Sequence, residues 1–392
     1  MRICHVMTRF IRGGADENTA QTCNGQATAG HDVHLIVGRE VDPKQLESLL
    51  PEVKVWRVLM LVREVSPICD IAAVFRLVFL IRKIRPEIVH THASKAGILG
   101  RMAAYVVRVP TIIHGVHILP FINVSWSQSL VYRALERLAA LVTDVFINVG
   151  KEMRDECIRA GIGTADRHVV IASGMDLRKF SRDLREKVRW QEVLRGYEFR
   201  LAAPRFVLLA SRLEARKGQF EFLSAFAEIA RVFPEVMLII AGEGPDHARI
   251  AERISSLGIG ERVIMTGFRK DIERLMAIAD IGLLTSRREG MPRVLVQYAL
   301  MRLPIVATDI PGSREIVTHG INGFLVPPRD LEAMQESLSQ LLRDPEKCRE
   351  FSQAQDRLNL SKWSIEGMNE QIEQVYRIVQ QNRLAQMNSD TR

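Results

Sequence analysis

Cysteine is scarce and unpatterned in this 392-residue chain. Cys4, Cys23, Cys69, Cys157 and Cys348 are scattered, odd in number and form no CxxC pair. A disulfide framework or cysteine-based zinc site therefore has no support, and buried free thiols are expected. No run of about 18 apolar residues lacks charge, so no membrane span is expected. The opening MRICHVMTRF has no apolar stretch ending at a small-residue cleavage site. No signal peptide is expected there, and a cytoplasmic protein is expected. Helix-turn-helix, zinc-finger and RNA-binding signatures are missing, so nucleic acid is not an expected partner. No Asp, Glu and His set stands at metal-ligand spacing, and the expected site holds no metal and no cofactor.

What is present is a long chain that is 47% hydrophobic with a net charge of +8. It is too long for one ordinary core, which suggests two domains. A basic surface attracts anionic ligands or an anionic membrane face.

Short apolar runs alternate with helix-like segments. Arg2–Met7, Asp32–Val37, Ile88–Thr91, Thr111–Val116 and Val145–Val149 read as strands, with helices near 16–29, 70–84, 95–107, 126–141 and 151–160 between them. The region 177–203 is rich in Arg, Glu and Lys and carries little strand signal. The alternation then restarts with Arg205–Ala210, Val236–Ala241, Val263–Thr266, Ile281–Thr285, Ile305–Ala307 and Gly323–Val326. Such alternation predicts two α/β units with parallel sheets, and ligands in such sheets bind beyond the carboxyl ends of the strands.

Several post-strand loops could hold chemistry. Gly13 and Gly14 follow the first strand, where a helix start attracts anions, although a plain tight turn explains them equally well. In SRLEARKG, Arg212 and Lys217 could clamp a diphosphate, one by its fork and one as a point charge. Solvated loop cations are the bland alternative. AGEGPD, 241–246, lacks the third glycine of a dinucleotide fingerprint, so an oxidoreductase is poorly supported. In SRREGMPRVLVQ, Pro292 suits the first position of a helix running through Arg302, and Glu289 stands just outside it. A carboxylate there can accept hydrogen bonds from hydroxyls. Plain capping chemistry is the alternative. VHTHASKAG and IIHGVHILPF each place histidines at a strand end, among them His92, His114 and His117.

Together these segments resemble the retaining GT-B glycosyltransferases of family 4. The resemblance rests on GGADENTAQTCNGQATAGHDV, VHTHASKAGILGRMAA, SRLEARKG, IIAGEGP, the long stretch MTGFRKDIERLMAIADIGLLTSRREGMPRVLVQYALMRLPIVATDIPGSREIV, and GINGFLVPP. It covers nearly the whole chain and looks most like the bacterial enzymes of capsule, O-antigen and exopolysaccharide synthesis. It implies two Rossmann-like domains with parallel sheets facing across a cleft: 1–190 on the acceptor side, 200–365 for the nucleotide-sugar, and 366–392 as a helix crossing back and a tail. It also implies a hexosyl transfer from a nucleotide diphosphate sugar, expected to be UDP-linked, to a glycan or polyprenyl-linked acceptor. Retention of configuration and independence of metal come with it.

The residue roles follow from the same resemblance. Arg212 and Lys217 would hold the diphosphate where leaving-group charge develops. Glu289 would touch donor-sugar hydroxyls, with Gly290 and the amides of Met291 and Arg293 around the sugar and phosphates. Phe268 and Arg269 would contact the base through their backbone, and Gly13 and Gly14 would close on the diphosphate. His117 aligns with the cleft histidine near the donor sugar, with His92 a further substrate contact and His114 the weaker candidate.

One position departs from the family pattern of Glu, seven residues, Glu. Gln297 stands where the second Glu usually accepts hydrogen bonds from the ribose. A neutral amide accepts more weakly than a carboxylate, so weaker donor binding is expected. Two other readings stay open: a catalytically weakened partner subunit, and another GT-B activity such as a nucleotide-sugar 2-epimerase. The segments 73–86 and 125–142 are apolar or amphipathic with basic residues, which raises peripheral contact with the inner membrane as a hypothesis. The preferred expectation is that both are sheet-packing helices.

Overall fold

The computed structural model describes residues 1–11, 13–122, 124–197, 201–289 and 291–390. The chain divides into two compact units, Met1–Met175 with Ser361–Arg392, and Asp176–Leu360.

The first unit holds seven strands: β1 (Arg2–Met7), β2 (Asp32–Val37), β3 (Lys54–Arg57), β4 (Ile88–His92), β5 (Thr111–Val116), β6 (Val145–Asn148) and β7 (His168–Val170). They form one sheet in the order β3-β2-β1-β4-β5-β6-β7. Every pairing is parallel. The central strands are buried almost end to end, as a sheet covered on both faces requires, with His5, His90, His92 and His114 set among their apolar residues. Crossover helices supply that cover, and each fully buried Leu, Ile or Phe contributes roughly 1.5–3 kcal/mol. The terminal helix Ile365–Asp390 belongs to this unit. Its Met368, Ile372 and Tyr376 pack with Ile3, Ile88 and Ile113. It approaches the helix Gly14–Thr28 so closely that a Cβ at Gly25 would meet Asn369.

The second unit holds β8 (Arg205–Ala210), β9 (Val236–Ala241), β10 (Val263–Gly267), β11 (Ile281–Leu284), β12 (Ile305–Thr308) and β13 (Gly323–Val326). Their order is β10-β9-β8-β11-β12-β13, again all parallel. Phe222, Phe226, Leu238, Ile240 and Leu283 are among its core residues. Both orders reverse direction once, between β1 and β4 and between β8 and β11. Ligand crevices in open parallel sheets form at such reversals.

Three expectations need correction. The first unit ends at Met175, not residue 190. Residues 176–197 pack on the second unit, where Arg185 donates to the Met301 carbonyl at 3.5 Å and Trp190 sits edge-on to Phe206. Likewise, residues 361–365 belong to the first unit, and the Met175 amide donates to the Trp363 carbonyl at 2.9 Å. Finally, the helix after Glu289 spans Arg293–Leu300, with Pro292 as its cap residue outside the first turn. Arg302 turns left-handed at φ 53°, which stops the helix short of the expected end.

The segment 73–86 is a sheet-packing helix with a second apolar face. In the helix Pro67–Ile84, Ala73, Leu77, Leu80 and Ile81 are buried, while Ile68, Ile71, Phe75 and Phe79 are exposed. In the helix Trp126–Ala140, Trp126, Leu130, Val131, Leu135 and Leu138 are exposed. All five cysteines are free, with Cys69 and Cys348 only partly buried.

Candidate functional site

In the second unit the fold joins the loops after β8 and β11. Gly218 adopts φ 74°, a left-handed conformation that glycine allows without strain, and a Cβ there would lie 2.4 Å from the Thr285 carbonyl oxygen. The loops are stitched by Thr285 Oγ1 donating to the Lys217 carbonyl at 2.6 Å and the Arg287 amide donating to the Arg216 carbonyl at 2.8 Å. This brings Lys217 Nζ to 2.8 Å from Glu289 Oε1, both side chains mostly shielded. Ser286 Oγ also donates to that carboxylate oxygen. Tyr298 anchors the following helix. Its hydroxyl donates to the Leu208 carbonyl at 2.8 Å and accepts from the Ala210 amide at 3.2 Å, so the helix is pinned to β8. Gly282 makes room for the Tyr298 ring.

The other expected residues of this unit are spread around the same strand ends. Arg212 is 69% exposed, with Nε 3.8 Å from Glu214, so its guanidinium can reach a ligand. The Phe268 amide donates to Glu243 at 3.4 Å, and its ring is exposed. The Arg269 side chain is committed to Asp271 at 2.7 and 2.8 Å and to the Val193 carbonyl. Met291 and Arg293 flank the start of the helix Arg293–Leu300, and Gln297 is half-buried on it. Gly290 lies outside the described residues. Gly242, at φ 146°, has the Ser211 carbonyl 2.0 Å from where a Cβ would sit, so this glycine serves close packing of two post-strand loops.

In the first unit, Gly13 caps the helix Gly14–Thr28 in an extended conformation at φ −179°, which any residue adopts. A Cβ on Gly13 would meet the Asp16 carboxylate at 2.9 Å, whereas Gly14 has open space beside it. The Asp16 carboxyl is pushed up to about 6 by burial, against the pull of the Ile11 amide and Arg9.

The histidines converge further than their spacing shows. His5, His90 and His92 offer nitrogens within 4.8 Å of one another, a grouping that corrects the expectation of no ligand-like cluster. The sequence did carry one signal, a histidine inside the apolar strand RICHVM. Most of these nitrogens are already used. His5 Nδ1 lies 2.9 Å from His92 Nε2, and His92 Nδ1 lies 3.0 Å from His117 Nε2. His5 Nε2 lies 2.8 Å from Gln26 Oε1, and His90 Nδ1 lies 2.7 Å from the Tyr376 hydroxyl. His92 is therefore buried behind His117 instead of facing a ligand itself. Burial lowers His5 and His117 to about 4, and lowers His90 and His92 well below the usual histidine range. The imidazoles are neutral at neutral pH. His114 sits apart, bonded to Thr91 and packed over Gly97.

Two Rossmann-like units, each with polar side chains gathered at its sheet reversal, define a GT-B architecture. The comparisons agree with it and carry the family. The model "Glycosyltransferase Family 4" matches residues 12–179 and "Glycosyl transferases group 1" matches 198–357. The UDP-Gal:alpha-D-GlcNAc-diphosphoundecaprenol alpha-1,3-galactosyltransferase of Escherichia coli is 28% identical over 88% of each chain. The capsular polysaccharide biosynthesis glycosyltransferase CapM of Staphylococcus aureus is 22% identical over 88% of this chain and 89% of its own. The crystal structure of Anabaena HepE in complex with UDP and glucose superposes with a TM-score of 0.75 at 22% identity, over 96% of this chain and 99% of its own. The chain belongs to the family 4 glycosyltransferases of GT-B architecture.

Proposed function

We propose that the protein is a retaining hexosyltransferase of surface polysaccharide synthesis. It moves a hexosyl unit from a UDP-linked sugar to a glycan or lipid-linked glycan acceptor. The observation that carries this reading is the Lys217–Glu289 pair at the β8/β11 reversal, with Arg212 exposed on the same post-β8 loop as Lys217. A diphosphate there would meet a fork and a point charge, which stabilise the leaving group as its negative charge develops. Those two cations take the part a divalent ion plays in other transferases, so the reaction needs no metal. The Glu289 carboxylate can accept hydrogen bonds from sugar hydroxyls, and the family resemblance assigns His117 a sugar contact. The E. coli relative named for UDP-Gal and a diphosphoundecaprenol acceptor supports the donor and acceptor classes.

The test is calorimetric titration of UDP, GDP and ADP, with Lys217→Ala alongside. Selective UDP binding that disappears in Lys217→Ala is the expected result. Absence of binding at millimolar nucleotide would overturn the placement of the diphosphate. Proton NMR of the product's anomeric signal decides retention.

The same reading includes peripheral contact with an anionic membrane at its cytoplasmic face. It is supported by the exposed stripe Ile68, Ile71, Phe75 and Phe79 with Arg76, Arg82 and Lys83 exposed on the same helix. No described helix is long and apolar enough to cross a membrane. Flotation with anionic liposomes at low salt checks this, and protein left entirely at the bottom of the gradient rules it out. Gln297 supports a second reading, a weakened partner subunit, which predicts no turnover even with Gln297→Glu.

A further inference from the structure

Six side chains from five separate elements form one buried hydrogen-bonded network in the first unit. Gln26 is its hub. Gln26 Oε1 is 2.8 Å from His5 Nε2, and Gln26 Nε2 donates to the Tyr376 hydroxyl at 3.2 Å. From His5 the chain runs to His92 at 2.9 Å and on to His117 at 3.0 Å. From Tyr376 a second branch reaches His90 at 2.7 Å. Space for it is made by Gly115, where a Cβ would lie 2.9 Å from His92 Nδ1, 3.1 Å from His117 Nε2 and 3.2 Å from His90 Nε2.

With Gln26 Oε1 turned toward His5, the hub sets the direction of each bond from His5 to His117. A carbonyl oxygen only accepts, so His5 carries its proton on Nε2. A neutral ring then has a lone pair on Nδ1, which takes the Nε2 proton of His92. The His92 Nδ1 lone pair in turn takes the Nε2 proton of His117. One amide orientation thus propagates through three rings. A single turned-over amide would reverse them all.

We propose that His5 and His92, anchored on Gln26, hold His117 as the Nε2-protonated neutral tautomer, so that His117 offers Nδ1 as an acceptor to a ligand hydroxyl. His5, His92 and Gln26 are positioning residues, and the reading of His117 as a sugar contact in the proposed transfer is assumed. The ligand group selected at His117 is a hydrogen-bond donor. A phosphate oxygen or carbonyl meets only a lone pair there and is disfavoured. The low proton affinity of the buried rings keeps that polarity, because an imidazolium at any link would break the sequence of donors and acceptors.

The experiment is heteronuclear NMR of the whole protein labelled at histidine ring nitrogens, with steady-state kinetics on the same variants. In the wild type, His117 is expected as the Nε2-protonated tautomer in large excess. Gln26→Leu removes the hub and should give a mixture of tautomers. Its kcat should fall about tenfold to a hundredfold, with KM for the donor little changed, as for other residues that orient a working imidazole. Gln26→Glu, which can only accept, should keep the tautomer and most of kcat. A wild-type His117 protonated on Nδ1, or on both nitrogens, overturns the proposal whether or not any variant folds. So does a Gln26→Leu protein that loses kcat with its tautomer unchanged, the mark of a structural role. Full transfer by His117→Ala would instead remove the sugar-contact reading, and the wild-type spectrum would still decide the network.

Discussion

Lys217 Nζ and Glu289 Oε1 stand 2.8 Å apart, joining the loop after β8 to the loop after β11. Each neutralises a partner that the proposed donor also wants. A diphosphate must share the ammonium with Glu289, and sugar hydroxyls must share the carboxylate with Lys217. Glu289→Gln should therefore free the ammonium and bind UDP about twofold to fivefold more tightly, the carboxylate no longer competing with the diphosphate for it. Transfer should still fall by at least about tenfold, since the charged acceptor for the sugar is gone. Lys217→Ala should lose both binding and transfer. Calorimetry with parallel rate measurements checks the split. Weaker UDP binding by Glu289→Gln would show that the pair acts as one unit on the nucleotide.

Gly218 controls that pair through the backbone. Its left-handed conformation and the Thr285 carbonyl 2.4 Å from a Cβ leave no room for alanine. Gly218→Ala should push the two loops apart, lower the unfolding midpoint and weaken UDP binding together. Strain of this kind costs of order 1–3 kcal/mol. Thermal unfolding with and without UDP measures both effects. An unchanged midpoint with normal affinity would mean the loops are not held by this contact.

Gln297 gives a sharper test of the donor site. It is half-buried on the helix that Tyr298 pins to β8. Gln297→Glu restores a carboxylate acceptor on a scaffold that needs no rearrangement. UDP affinity should rise by about tenfold, the gap between a neutral and a charge-assisted hydrogen bond of roughly 1.4 kcal/mol. Uridine diphosphate is compared with its 2′,3′-dideoxy analogue in the same titration. A gain that persists without the ribose hydroxyls would place Gln297 elsewhere.

The inner strands were legible because buried parallel strands are written as mostly apolar runs, even where a histidine or threonine interrupts them. The two missed strands, Lys54–Arg57 and His168–Val170, sit at opposite edges of the first sheet. Lys54–Arg57 has three exposed residues out of four and no such run to read. Lys217 and Glu289 were legible singly, from post-strand position and resemblance, but their contact follows from β8 and β11 being neighbours, which spacing does not encode. The histidine network was the least legible part. Gln26 and Tyr376 lie far apart in the chain and meet only because the terminal helix packs on the first unit. Nothing in the local pattern of either residue marks it as polar core.

The buried imidazoles predict how stability varies with pH. His5 and His117 titrate at about 4 in the fold against 6.5 when unfolded, because burial penalises the charged form. His90, His92 and His114 shift the same way. Below 6.5 the unfolded chain takes up protons that the folded chain refuses. Stability is therefore complete above pH 6.5 and is lost as pH falls from there toward 4. Asp16, raised to about 6, and Asp280, also raised by burial, act oppositely, but they are two carboxyls against seven rings, since His34 and His168 are lowered as well. Urea midpoints across that window should fall steeply on acidification. A flat profile would show that the rings are charged, or solvated, in the native state.

Arg101 and Glu136 form the most deeply buried ion pair of the first unit among the described residues, 2.6 Å apart with the Arg101 side chain fully enclosed. Arg101 also donates to the Gly97 carbonyl at 2.7 Å and to Thr143 at 3.3 Å. Glu136→Leu leaves a guanidinium in the core with no counter-charge, which should cost about 3–5 kcal/mol. Arg101→Met alone strands the carboxylate and should cost a similar amount. The double variant Arg101→Met with Glu136→Leu removes both desolvation penalties, so it should recover most of the loss. Equilibrium denaturation of all four proteins closes the cycle. Additive losses in the double variant would mean that the two side chains are not coupled and that each loss has a cause other than the stranded partner charge.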